Sequence, residues 1–224
     1  PLAHDTVARI IELFPNRIVA VNIHSHLFGL FGNPNVMGNA YDFRTIDGDT
    51  VVTMLGGIIS VPSAAIDMKV HPPDSTIINY NRGSWVQYVS NQLIVSSPFN
   101  IEIASNFDMN SRNLKIVTKF ETSQSVSIPV FYSIALIEDN IVDKQFVDTA
   151  IVNNYLHQHI LRDYITNTKG EILATSSYTG DTYIKVLNYI IPIEWDITNV
   201  KIIVYTHQSD NIWEVYQTEN KNAL

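Results

Sequence analysis

Two pairs of histidines stand two residues apart: His24 and His26 flank Ser25, and His157 and His159 flank Gln158. In an extended chain, residues two apart share a face, so each pair could bring two imidazoles to one metal ion. A full ligand set needs more. Asp42 and His4 are the candidates for the first pair, and Arg162 stands near the second. Two ligands at the right spacing do not make a site. Both pairs are therefore read as histidines in ordinary hydrogen bonds, and no metal or cofactor is assigned.

Glu138, Asp139 and Asp143, with Asp148, form a small acidic cluster after a long apolar run. Calcium prefers several oxygens, but Ile141 and Val142 interrupt the cluster, which reads instead as a solvated turn ending a strand. Trp85, Trp195, Trp213 and Tyr216 could make a platform for carbohydrate or peptide; aromatic residues in strands are more often core. The chain has no cysteine, so disulfides, thiolate metal sites and thiol nucleophiles are absent from it. It also lacks the Gly-x-Ser-x-Gly elbow of hydrolases and the glycine patterns that cradle phosphates. No catalytic residue is assigned.

The formal charge is −8, and the 14 basic residues form no run. Nucleic acid as a partner is excluded on this ground, and docking on an anionic membrane face is disfavoured. No stretch approaches the apolar length of a membrane span. The chain opens at Pro1 with neither a methionine nor a basic-then-apolar leader, so it is expected to be a mature or trimmed fragment.

The elements that must position these residues change character midway. Ala3, Val7, Ile10, Ile11 and Phe14 recur at helical spacing; Pro1 suits the first turn and Pro15-Asn16 the stop. Ile18 to Ile23 reads as a strand, Gly29 to Asn39 as a loop, and Tyr41 to Leu55 as a short helix. Ile58 to Asp67 reads as an approach to a proline and a buried strand. A further helix runs from a Ser84 N-cap through Leu93. This order is an α/β pattern. Beyond Ser96-Ser97-Pro98, two-residue alternation takes over: Phe99 to Ile103, Leu114 to Phe120, Val126 to Leu136, Ile184 to Ile193, Val200 to Tyr205 and Asn211 to Gln217. Several strands separated by turn clusters suggest an antiparallel β-sandwich. The expected division is 1–97 and 98–224.

The segments PLAHDTVARI, IVAVNIHSH, YDFRTIDGD, GGIISVPSAAID, IALIEDNIVDKQ, NNYLHQHILRD and IIVYTHQSDNIWEVYQ occur in this order. Together they resemble the bacterial twenty-eight-kilodalton outer-membrane-protein family, exported lipoproteins of Gram-negative envelopes. The resemblance implies a thioredoxin-like first domain, here without its first strand and without the Cys-x-x-Cys that precedes the helix at PLAH, followed by a β-sandwich. It also implies a cis bond at Val61-Pro62, holding a backbone edge where a peptide can pair as an added strand.

The expected function is a binding or adhesion module at the outer membrane, periplasm or cell surface. Its partner is a protein or peptide, with membrane contact only through a lipid anchor outside this chain. The alternative is a thiol–disulfide oxidoreductase whose cysteines lie upstream of Pro1, where the helix N-terminus would lower a thiol pKa.

Overall fold

The structure, a computed structural model, describes residues 2–28, 33–147, 150–208 and 213–224. Among the described residues, four α-helices and one 3-10 turn (His26–Phe28) precede the first strand: α1 (Leu2–Leu13), the single turn α2 (Pro34–Met37), α3 (Ile46–Met54) and α4 (Arg82–Gln92). Ten strands follow: β1 (Phe99–Phe107), β2 (Asn113–Thr122), β3 (Val130–Glu138), β4 (Ile141–Val147), β5 (Ala150–His157), β6 (Ile160–Tyr164), β7 (Glu171–Ala174), β8 (Thr182–Ile190), β9 (Val200–Gln208) and β10 (Val215–Asn222).

The strands build a β-sandwich. One sheet has the order β1-β2-β8, the other β10-β9-β3-β6, with β7 also pairing β3; every pairing is antiparallel. The inward residues of β1 and β2, among them Phe99, Ile101, Leu114, Ile116 and Phe120, meet Val130, Ile134, Leu136, Ile202 and Val204 from the facing sheet in one core. Alternation along β1 and β2 thus reports one buried and one wet face.

The central strands β3 and β9 depart from alternation because both their faces are buried. Ala135, Ile137, Leu161, Ile203 and Tyr205 form a second cluster on the outer face of the larger sheet, against which Val19, Val21, Ile23 and Met68 pack. Burying a branched aliphatic side chain fully is worth about 1.5–3 kcal/mol, so this contact is a substantial part of what holds the first hundred residues in place. Gly48 in α3 is required by the same packing: a Cβ there would lie 2.6 Å from the His24 carbonyl oxygen.

Several sequence expectations need correction. Among the described residues, the first half forms no strand ladder. Ile18 to Ile23 is extended, but it makes one parallel bridge, Asn22 to Ile160, and so borders the sandwich rather than a sheet of its own half. In place of a strand over Ile58 to Asp67 there is one bridge, Ala64 to Asn79. The helix over Tyr41 to Leu55 shortens to α3, because the Thr45 hydroxyl accepts the Gly48 N–H and caps it there. The cap of α4 is Asn81, which accepts from Gly83 N–H; Ser84 lies inside the helix. β3 starts at Val130 rather than Val126, since Pro129 has no N–H for the ladder. Pro1, residues 29–32 of the expected loop, Asp148 and the start of the last expected strand at 211–212 lie outside the described residues. The Val61–Pro62 and Pro72–Pro73 bonds are cis.

Candidate functional site

The structure crosses the two histidine pairs. One member of each, His24 and His157, meets the other with ring centroids 6.4 Å apart. Phe43 lies against both, at 5.5 and 4.6 Å, and Tyr155 stands edge-on to His157 at 4.9 Å. His4 of α1 closes the box on Tyr155 at 5.7 Å. His157 is buried, and burial holds its imidazole below its usual range, so it sits in the box as a neutral ring; its Nε2 faces the Lys144 carbonyl.

The other members go elsewhere. His26 Nδ1 pairs with Asp49 Oδ2 at 2.9 Å, beside a 2.7 Å bond from the Ser25 hydroxyl to Asp49 Oδ1. Burial pushes the Asp49 carboxyl up, but the bonds from Ser25 and from the backbone and ring of His26 outweigh it and lower it. Because Ser25 donates to the carboxylate rather than to an imidazole, Ser25, His26 and Asp49 do not make a nucleophile relay. His159 Nδ1 pairs with Asp139 Oδ1 at 2.9 Å. Asp42 is taken by a two-point bond from Arg44, at 2.8 and 2.6 Å. Among the described residues, no group of three or more histidine, aspartate or glutamate side chains could hold a metal ion.

The acidic cluster is no solvated turn: Glu138, Asp139 and Asp143 are all buried. Asp139 accepts from Lys201 Nζ at 2.8 Å and from the His159 N–H at 2.6 Å. Glu138 faces Arg162 at 3.4 Å and accepts the Asp196 N–H at 3.0 Å, while the Arg162 guanidinium lies 4.9 Å over the Trp195 ring. Asp143 accepts the N–H groups of Ala40 and Tyr41. Each carboxylate ties a distant segment to the end of β3 or to β4. Trp85 and Trp195 are buried in separate parts of the fold, Trp213 lies against His207 and Tyr216 against Phe99, so the four aromatics make no common platform.

What the box and the carboxylates position is the hairpin β4–β5, a two-stranded sheet outside the sandwich. Two strands alone are marginal in water and need a packed face. Here Ile141, Asp143 and His157 turn inward and are buried. The opposite face carries the cross-strand pairs Val142–Leu156 and Phe146–Ile151. These four side chains are exposed, at 56, 46, 40 and 48 %. The hairpin departs from the usual pattern, with Asp143 and His157 inward beside Ile141 and apolar side chains outward; its sequence signal is the run of β-branched and aromatic residues on both sides of residues 148–149.

Val61 and Pro62 lie exposed on the surface of the first half, next to Ile59, which is 83 % exposed. A groove of about 290 Å³ runs between α1 and the β5–β6 turn, lined by His4, Val7, Ile11, Glu12, Gln158 and His159 among others. No described helix is long and apolar enough to cross a membrane, which leaves membrane-spanning strands unaddressed.

A family model described as outer membrane protein Omp28 matches residues 55–223. Of the segments that carried the resemblance, those before residue 55 fall outside this match. Among solved structures, the chain is similar to HBP35 of Porphyromonas gingivalis, with a TM-score of 0.62 and 11 % identity, covering 78 % of this chain and 57 % of that one. The chain therefore spans little more than half the length of HBP35, and the likeness is one of fold. A domain of the outer membrane lipoprotein Omp28 from Porphyromonas gingivalis aligns at 16 % identity with a TM-score of 0.39, over 55 % of this chain and 86 % of that one. No curated protein matches the chain. With most of its length inside the matched stretch, the chain belongs to the Omp28 family of outer membrane proteins and is an exported protein of the Gram-negative cell envelope.

Proposed function

We propose that the chain is a binding or adhesion module of the envelope, and that the outer face of the β4–β5 hairpin is its contact surface for a protein or peptide. The observation that carries this reading is the exposure of Val142, Leu156, Phe146 and Ile151 on one face. Contiguous exposed apolar patches on otherwise polar surfaces mark interaction sites more often than chance. A partner offering an apolar strand or helix face would match it, with the buried inner face of the hairpin supplying rigidity. Residues 1–97 as the remainder of a thioredoxin-like unit, joined to the sandwich over 98–224, belong to the same proposal. The succession of α1, the extended Ile18–Ile23 segment, α3, Val61–Pro62 and α4 supports it.

The exposed stretch Ile59 to Pro62 is the second candidate contact. Capture from envelope and extracellular protein extracts separates the two. The wild-type chain, the pair Val142→Ser with Leu156→Ser, and the pair Ile59→Ser with Val61→Ser are compared on the same protein band. Loss of at least about ten-fold with the hairpin pair alone, equivalent to 1.4 kcal/mol, supports the hairpin. Loss with the Ile59/Val61 pair alone moves the contact there. Equal capture by all three counts against both contact surfaces, and no capture at high concentration counts against the module.

A further inference from the structure

Two carboxylates from the two halves of the chain converge on one amide. Asp47, in the first turn of α3, and Asp163, in β6, both accept the Tyr164 N–H, through Asp47 Oδ2 at 3.2 Å and Asp163 Oδ1 at 2.9 Å. Their remaining oxygens are also engaged: Thr168 Oγ1 donates to Asp47 Oδ1, and the Tyr189 hydroxyl of β8 donates to Asp163 Oδ2 at 2.5 Å. Two carboxylate oxygens that crowd a single hydrogen-bond donor repel when both are ionised, and one proton held between them removes the repulsion.

The surroundings offer no other remedy. Among the described residues, neither carboxylate forms an ion pair. Arg162 of β6 is turned to Glu138 and Trp195. The Tyr164 phenol is bonded to Tyr205 of β9 at 3.0 Å. Asp49, two residues along α3, is held by Ser25 and His26.

We propose that Asp47 and Asp163 share a proton and act as an acid-tightened latch between α3 and the sandwich, which loosens as the pair loses that proton. Burial raises the Asp163 carboxyl; the Tyr189 bond opposes this, and the neighbouring Asp47 raises it further. For an acid whose folded pKa is raised, the sign is definite. The junction is unpenalised where Asp163 is protonated, and it weakens as pH climbs from the ordinary aspartate value of about 3.9 through the raised folded one. Asp47 is the point at which the latch acts on α3, because its two oxygens bond β6 and the turn that follows it.

Hydrogen exchange of the α3 amides reads the latch directly. Protection factors, corrected for intrinsic exchange, are expected to fall several-fold between pH 4.5 and 7.5. Those of β2, in the core of the other sheet, should stay level. Asp163→Asn keeps an acceptor for the Tyr164 N–H and removes the charge, so its α3 protection should be high and flat with pH. Should that variant not fold, the carboxyl carbon shift of Asp163 in the wild-type chain decides: a titration step above the ordinary aspartate range is expected. Level α3 protection in the wild type, an Asp163→Asn variant with the wild-type slope, or an Asp163 titration at the ordinary value would each overturn the latch.

Discussion

Replacing Asp139 by Asn removes one buried charge while leaving its shape. Asp139 Oδ1 accepts both the N–H and the ring of His159, and an amide oxygen can keep these bonds; Oδ2 accepts from Lys201. In the variant, an amide N–H₂ would face the Lys201 ammonium, donor against donor. Breaking a buried pair by removing one partner costs about 3–5 kcal/mol. The Lys201 side chain is a third exposed and can turn to water, so screening reduces the expected loss to about 2–3 kcal/mol. For a chain of this size that is roughly 4–12 °C in Tm.

The pH dependence is the sharper check. Burial pushes the Asp139 carboxyl up, but the bonds from the His159 ring, Lys201 and the His159 N–H outweigh it and hold it well below the usual carboxylate range. A depressed folded pKa contributes stability that is present above the unfolded value of about 3.9 and is lost as pH falls toward the folded one. Urea unfolding followed by tryptophan fluorescence should give a constant gap between wild type and Asp139→Asn from pH 5 to 8. At pH 3 protonation of the unfolded chain alone narrows it by about 1.3 kcal/mol. A gap below about 1 kcal/mol at pH 7, or one of equal size at pH 3 and pH 7, would refute the assignment of Asp139 as a charged tie.

Other expectations follow from single contacts. Gly48→Ala should cost several kcal/mol, or prevent docking of α3, since the new methyl meets the His24 carbonyl oxygen at 2.6 Å; thermal melts compare it with Thr50→Ala on the same helix. Thr118→Val should stabilise the sandwich by about 1 kcal/mol in urea, because the Thr118 hydroxyl is buried in the core with no hydrogen-bond partner among the described residues. Ile184→Lys should lower concentration-dependent association in sedimentation runs: β8 is an edge strand whose outer face carries exposed Ile184, Val186 and Ile190, and a lysine there guards the edge.

Periodicity located β1, β2, β8 and β9 because each has at least one apolar face turned to a core. It missed β4 and β5, where Asp143 and His157 share the inward face with Ile141 while Val142, Phe146, Ile151 and Leu156 point outward. There the pattern is inverted, and a buried aspartate makes sense only once the Ala40 and Tyr41 amides arrive from a hundred residues away. The histidine spacing failed for a local reason. β5 ends at His157 and His159 takes a positive φ of 60°, so the two no longer share a face; on the other side, His26 begins a 3-10 turn. The acidic cluster looks solvated from sequence because its cations, Arg162 and Lys201, lie on strands distant along the chain.

The double-faced burial of β3 and β9 bears on how this chain can be cut. A fragment beginning at residue 55, where the family match starts, would keep both sheets but lose Val19, Val21 and Ile23. Ala135, Ile137 and Ile203 would then lose much of their cover, keeping Met68, Tyr164 and Val215, and form a partly bared slab in the middle of a regular sheet. Such a fragment should precipitate or pair through that slab, however intact its sandwich, so the early residues serve as its lining against the solvent.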